Sequence, residues 1–440
     1  MIPWRPGQPI SLGDVAFRRV VELGAGDDLQ AALDRAQPGD KILLRADFVG
    51  NFVCRKLPLD APIVLAGTGP EKLIARINAE PVIRFEPGAY GYVLDNFTIS
   101  ANASKNQAYT LVEIGRGADE QRTVEAAPKQ IVLNRLTIRG GGQNETQRGI
   151  SVNGADIVIS DCSITDIYGS GYDTQAICGW NGPGPIYIFR TVCEAAGENI
   201  MFGGAAAASD ELRPRNVVVS SCLLTKPLAW RDKWTVKNLL ELKNVERIII
   251  EDNVLQNCWL SAQVGFAIVI MSASDDPWSG STDITIKRNL IENVGGGINI
   301  WPHAGDAPVR SPVKNVFIAH NTITVDGSLG VGRALQILGS ADPQYNASDI
   351  VVVNNAFLGT GLRSAFVVTE YGPRNFHLHH NVFASSSYGF FRDGDLPFAA
   401  AFSGDVVLAP NFVIGDGGGR PWPTGTLFGA SPPDGFGPAR

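Results

Sequence analysis

Ten short strands of alternating apolar residues each run into a recurring corner, at Asn96, Arg135, Cys162, Thr191, Cys222, Asn253, Asn289, Asn321, Asn355 and Asn381. The copies DITIKRN, NVFIAHN, DIVVVNN and NFHLHHN end at Asn289, Asn321, Asn355 and Asn381, and each leads straight into another apolar segment. The spacing between corners lies between 26 residues (Asn355 to Asn381) and 39 residues (Asn96 to Arg135). Asn tolerates left-handed backbone, and its short amide bonds local peptide groups. Repetition of such a residue between two strands is the mark of a solenoid. In stacked β-coils equivalent residues sit ~4.8 Å apart, close enough for amides to form a row. The mixed first half, with Arg135, Cys162, Thr191 and Cys222, restricts the expected continuous row to Asn253 onward.

A stacked repeat also accommodates the length. At 440 residues the chain is long for one globular core, and no Ser/Pro linker or charge block divides its middle, whereas stacking has no intrinsic size limit. Gly at 49 positions and a hydrophobic share of 44% fit many short strands joined by turns. A net charge of −7 argues against a nucleic-acid partner. The chain contains no run of 18 apolar residues, so no membrane span is expected. The opening MIPWRPGQPISLGDV lacks the charged start and apolar middle of a signal peptide, which fits a cytosolic protein or, the reading favoured here, a mature or trimmed chain.

Cys162 and Cys222 stand two rungs apart, ~9.6 Å, beyond the ~7 Å that a disulfide spans. The spacings of Cys54, Cys178 and Cys258 match no zinc pattern, and Cys193 falls in phase with Ile164, so buried thiols are expected. Near the start, Asp27 with Gln30 resembles a capping box, and Leu29, Ala32, Leu33 and Ala36 mark one face of a short helix that stops at Pro38 and Gly39. Its expected role is to cap the open end of the solenoid. The division anticipated is residues 1–45 for the leading segment and capping helix, 46–402 for the coils, and 403–440 for a C-terminal cap or tail.

The helix, the three short strands per coil and the Asn ladder resemble the pectate-lyase-like superfamily. The resemblance implies an all-β fold, a right-handed parallel β-helix of about ten or more coils with an N-terminal capping helix. It implies a polysaccharide or oligosaccharide partner rather than one reaction, because the superfamily includes lyases, hydrolases, epimerases, esterases and tailspikes. A secreted or periplasmic monomer is expected by the same analogy.

Aligned on the ladder, the segments AICGWN, NIMFGG, LLELKN, AIVIMS, INIWPH, ALQILG and FVVTEY form one sheet. Period-2 alternation sends Ile177, Ile200, Leu240, Leu242, Ile268, Ile270, Ile298, Ile300, Leu335 and Ile337 inward. The outward stripe then holds Cys178, Trp180, Met201, Gly203, Glu241, Lys243, Val269, Met271, Asn299, Trp301 and Gln336. Trp180 and Trp301 suit stacking on sugar rings, with Asn299 and Gln336 reading hydroxyls. The segment KPLAWRDKWTVKNLLELKNVER sets six cations (Lys226, Arg231, Lys233, Lys237, Lys243, Arg247) against Asp232, Glu241 and Glu246, between walls of Trp230 and Trp234. Such a patch fits an anionic ligand.

β-Elimination of a uronate needs a base for the proton beside the carboxylate and a cation to hold that carboxylate. Lys243 projects outward, and crowding by Lys237 or Arg231 would suit it to base work. The string LLELKN resembles the outward-Lys strand of the chondroitinase B and alginate lyase family, which implies Lys243 as base and carries calcium as a candidate cofactor. Asn238 stands where that family's calcium carboxylate is expected, and Val269 and Met271 replace an Arg. Hydrolysis instead needs paired carboxylates, ~5–9.5 Å apart. Glu241 is the candidate there, joined by Asp173, Glu198, Asp275 or Asp276. No polygalacturonase pattern follows SDDPW, and WPHAGD departs from the epimerase motif. His303 sits at the stripe's edge as an acid or base candidate, whereas His377 and His379 lie on a ladder strand away from it. A non-catalytic glycan-binding or tailspike-like module is the third reading.

Overall fold

The structure, a computed structural model, describes residues 16–55, 61–273, 276–303, 311–369, 371–393, 397–419 and 422–438. Asp275, residues 1–15 and the Ala304–Gly305–Asp306 end of WPHAGD lie outside the described residues.

The chain forms two compact units. One comprises residues 1–222 with 233–235, the other 223–232 with 236–440. Each is built from three parallel sheets visited in turn. In the first unit, strands Ala155–Ser160, Ser163–Ile167 and Gln175–Gly179 make one pass, and Ile186–Phe189, Val192–Ala195 and Glu198–Phe202 the next. Pairing is parallel and in phase, with Ile157 beside Ile186, Ile164 beside Cys193 and Ile177 beside Ile200.

Three apolar stacks fill the interior of the second unit. In the first sheet Ile250, Ile286, Ile318, Val352 and Leu378 are successive partners. In the second the row is Leu255, Ile291, Ile323, Phe357 and Phe383. In the third it is Ile268, Ile298, Leu335, Phe366 and Phe390. All are buried at 1% exposure or less, so an aliphatic or aromatic side chain at each site packs on another apolar side chain one rung away. Parallel pairing continues past residue 402, where Ser403–Val407 joins the first sheet and Phe412–Ile414 the second.

The ladder corrects the sequence reading in two ways. The left-handed residue of each corner is the one before the Asn: Asp161, Arg190 and Ser221 in the first unit, and Asp252, Arg288, His320, Asn354 and His380 in the second, all with φ between 46° and 57°. Asn96 (φ 61°) and Arg135 (φ 53°) are themselves such corner residues. Phe97 and Leu136 therefore take the buried rung, while Asn411, buried at 0%, adds a rung at the far end. The rung Asn is selected for its amide. Asn289 donates from both its backbone N–H and its Nδ2 to Asn321 Oδ1, at 2.9 Å each. Asn321 does the same to Asn355, and Asn355 to Asn381. The row is continuous from Asn253 to Asn411. In Asn289, Asn321, Asn355 and Asn381, Nδ2 also bonds the carbonyl two residues back, as Asn321 does to Ala319.

In the first unit a thiol does part of this work. Cys162 Sγ donates to Ser160 O at 3.2 Å and to Leu133 O at 3.6 Å, the counterparts of the carbonyls an Asn amide reaches. Cys162 and Cys222 are accordingly buried thiols outside any disulfide, as are the other four cysteines.

The helix spans Leu29–Arg35, buries Leu29 and Leu33, and is capped by Asp28, whose side chain accepts from Ala31 N. Asp27, the expected cap, instead accepts from Gly24 N at 2.7 Å. Gln30 does not turn back to the cap. Its amide donates to Val53 O at 3.0 Å and accepts from Val53 N at 2.8 Å, so it pairs with strand Phe52–Cys54, which ends the third sheet. Among the described residues no helix is long and apolar enough to cross a membrane.

Candidate functional site

The third sheet of the second unit carries the expected stripe. Strands Leu240–Leu242, Phe266–Met271, Gly296–Trp301 and Arg333–Ile337 pair so that Glu241, Val269, Asn299 and Gln336 form one outward row, with Met271 beside Trp301 in a second. Alternation between core and face is as the spacing predicts, because a one-residue slip would turn every Ile outward.

The stripe is covered, however, rather than open along its length. Glu241 is 0% exposed, Val269 2%, Met271 6%, Gln336 6% and Asn299 7%. Phe266, Val269 and Met271 form an apolar cluster against which Ala273 and Val331 pack, so neighbouring loop residues supply a lid that strand alternation does not encode. Solvent reaches Trp301, 41% exposed, and Lys243, whose side chain is 19% exposed.

Lys243 Nζ lies 3.5 Å from Glu241 Oε1. Glu241 is thus a charged partner of Lys243. Arg231 is exposed, with its guanidinium 5.3 Å from the ring centre of Trp259. Lys237 is half-buried, and its carbonyl accepts from Cys258 Sγ at 3.0 Å. The anticipated patch of six cations is not one surface. Lys226 is 0% exposed and donates to the Asn238 carbonyl at 3.1 Å, and Arg247 pairs with Glu246. Trp230 is buried at 8% exposure. At the position raised for calcium, Asn238 is fully buried and donates to Phe266 O at 2.9 Å. Its amide is thereby tied to the backbone of the next strand. Among the described residues no three His, Cys, Asp or Glu side chains are grouped to hold a metal.

Further along the stripe, Gln336 Nε2 donates to Asn299 Oδ1 at 2.9 Å, and Arg333 donates to Gln336 Oε1. Burial pushes the Arg333 guanidinium below its ordinary value. Both amides read from sequence as hydroxyl readers are therefore tied to one another and to a cation that sequence reasoning missed. His303 is half-buried against Tyr345, ring centres 4.6 Å apart.

In the first unit, Trp180 is half-buried, its backbone N–H bonded to Asn153 Oδ1 and its ring 5.5 Å from the Arg148 guanidinium. Arg148, Gln175 and Glu198 are register partners, and Gln175 Nε2 donates to Glu198 Oε2 at 2.9 Å with both residues buried. Arg148 and Gln175 were missed by sequence, although the same register count that found Ile177 and Ile200 places them. Asp173 is half-buried at the entrance to that strand. Trp234 stacks on Tyr168 at 4.3 Å and 15°, which occupies one ring face. Lys233 is exposed, and its carbonyl accepts from Ser170 Oγ at 3.4 Å.

No established family's sequence pattern matches this chain, and no curated protein matches it. Solved structures do. A Yersinia enterocolitica family 28 exopolygalacturonase aligns with TM-score 0.50 at 12% identity over 96% of this chain and 79% of its own. A tailspike protein of E. coli bacteriophage HK620, a double mutant in complex with a pentasaccharide, aligns with TM-score 0.51 at 10% identity over 90% of this chain and 65% of its own. An alginate lyase from Paenibacillus sp. str. FPU-7 aligns at 14% identity over 78% of this chain and 98% of its own, with TM-score 0.47. At these identities the likeness is one of fold: three long parallel sheets in a pectate-lyase-like β-helix.

Proposed function

We propose that this parallel β-helix protein is a carbohydrate-active enzyme acting outside the cell, a polysaccharide lyase that cleaves an acidic, uronate-containing glycan by β-elimination. The supporting observation is the Lys243–Glu241 pair, an amine at the solvent boundary of the sheet 3.5 Å from a fully buried carboxylate. In this reading Glu241 holds Lys243 and can accept its proton, freeing the amine as base. Lys243 Nζ takes the proton from the carbon bearing the uronate carboxyl, the carbon–oxygen glycosidic bond breaks, and a carbon–carbon double bond forms. Arg231 or Lys237 neutralises the carboxylate, and His303 or Glu241 assists departure of the sugar oxygen.

The test is ultraviolet absorbance of an unsaturated product after incubation with uronate polymers, with and without calcium. Lys243→Ala is expected to lower kcat at least a hundredfold with the fold intact. Reducing ends formed without that chromophore would point to a hydrolase instead.

One observation favours a second reading, a glycan-binding module without catalysis. Trp301 is the exposed aromatic of the stripe, whereas Glu241 is closed to solvent. That reading predicts binding lost in Trp301→Ala and kept in both Glu241→Ala and Lys243→Ala.

A further inference from the structure

The second unit holds a cavity of about 440 Å³ where the strands of the first sheet begin. Its floor is a register row. Lys314, Ser348, Arg374 and Ser403 are successive parallel partners, so cation and hydroxyl alternate from rung to rung. Ser311, Gln344 and Asn346 add polar groups, while Pro312, Pro343 and Gly372 add flat apolar surface. Among the described residues no carboxylate lines it. Beside the row, Asp349 accepts from Ser348 Oγ at 2.7 Å and from Asn375 Nδ2 at 2.7 Å. Those bonds, followed by the charges of Arg374 and Lys314, hold its carboxyl below the usual range. Among the described residues neither Lys314 nor Arg374 is in an ion pair, and both are exposed.

The backbone around the row is fixed. Ser348 N donates to Val313 O, Arg374 N to Ala347 O, and Gly372 N to Ala401 O. Asn346 is tied on both sides to Ser340. The cavity therefore presents a preformed surface rather than a mobile one. Lys314 and Arg374 stand two rungs apart, ~9.6 Å, roughly the length of a disaccharide. Cations at that repeat suit alternate carboxylates of an extended acidic chain, with the serines and amides between them suited to hydroxyls and the prolines to ring faces.

We propose that this groove is a second saccharide-binding site, one that holds a carboxylated oligosaccharide apart from the Lys243 stripe. It rests on the acidic-glycan reading for the class of ligand, but not on Lys243 as base. The experiment is calorimetric titration of hexaguluronate and hexagalacturonate into the Lys243→Ala protein, where turnover is removed, with cellohexaose as the neutral control. Binding of an acidic hexamer is expected, and Lys314→Ala combined with Arg374→Ala is expected to weaken it at least tenfold and to flatten its salt dependence. Both side chains are exposed, so the fold is expected to persist, and Ser403→Asp is a second variant that opposes the anion without deleting a contact.

Three results would overturn the groove: equal affinity in the cation variants, no acidic hexamer bound at all, or displacement of the hexamer by inorganic phosphate at the concentration that displaces a single uronate. The lyase reading stands or falls separately, on unsaturated product from the unaltered protein and its loss in Lys243→Ala.

Discussion

The Asn321 amide accepts two bonds from Asn289 and donates to Ile286 O, Ala319 O and Asn355 Oδ1. Asn321→Ala would leave the buried Asn289 N–H without its acceptor, while Asn289 Nδ2 keeps Ile250 O and Lys287 O, at a cost of about 1–3 kcal/mol, read as a lower denaturation midpoint in urea. Asn321→Cys should lose less, because Cys162 and Cys222 reach equivalent carbonyls through sulfur. His379 is the other residue with a defined consequence. Its Nδ1 lies 2.9 Å from His380 Nδ1, with the His377 ring 6.4 Å away and His377 bonded to Asp405. Burial first, then His380 and His377, lowers its pKa from 6.5. The folded state thus binds fewer protons than the unfolded chain. This contribution is fully present above the unfolded value of 6.5 and is lost as pH falls through the folded one. Thermal midpoints should therefore drop between about pH 7 and pH 5, and less so in His379→Gln.

Among the elements, the helix Leu29–Arg35 matters through one side chain. Gln30 supplies a donor and an acceptor to Val53 on the last strand of its sheet, a place where unpaired peptide groups would otherwise invite another strand. In Gln30→Ala, hydrogen exchange of the Val53 amide should accelerate about tenfold or more, equivalent to roughly 1.4 kcal/mol of lost protection. Unchanged exchange would mean that the apolar face of Leu29 and Leu33 protects the edge unaided.

For the whole molecule, a stacked repeat distributes stability over nearest neighbours, so damage in one region need not reach another. The cysteines report on this. Cys54, Cys162, Cys178, Cys193 and Cys222 belong to the first unit and Cys258 to the second. Burial pushes the Cys258 thiol up to about 11 and that of Cys162 to about 12, so labelling needs local opening. Asn321→Ala should speed modification of Cys258 in mild urea while leaving the other five at their original rates, as followed by mass spectrometry. Uniform acceleration would mean that the two units open as one.

Period-2 alternation and a recurring corner determined the strands, their register and the inward residues. Those properties depend on neighbours along the chain and one rung away, and the same count puts Glu241 and Lys243 on one face. The rung and the left-handed corner occupy adjacent positions, and telling Asn96 from Phe97 required backbone dihedrals. What covers the stripe was also decided only by tertiary structure. Tertiary packing left Glu241, Asn299 and Gln336 buried, withdrew Lys226 from the surface and set Arg231 against Trp259. Charge in a sequence is a count, whereas the field at Lys243 depends on which side chain ends 3.5 Å away, and that distance is fixed by packing in three dimensions.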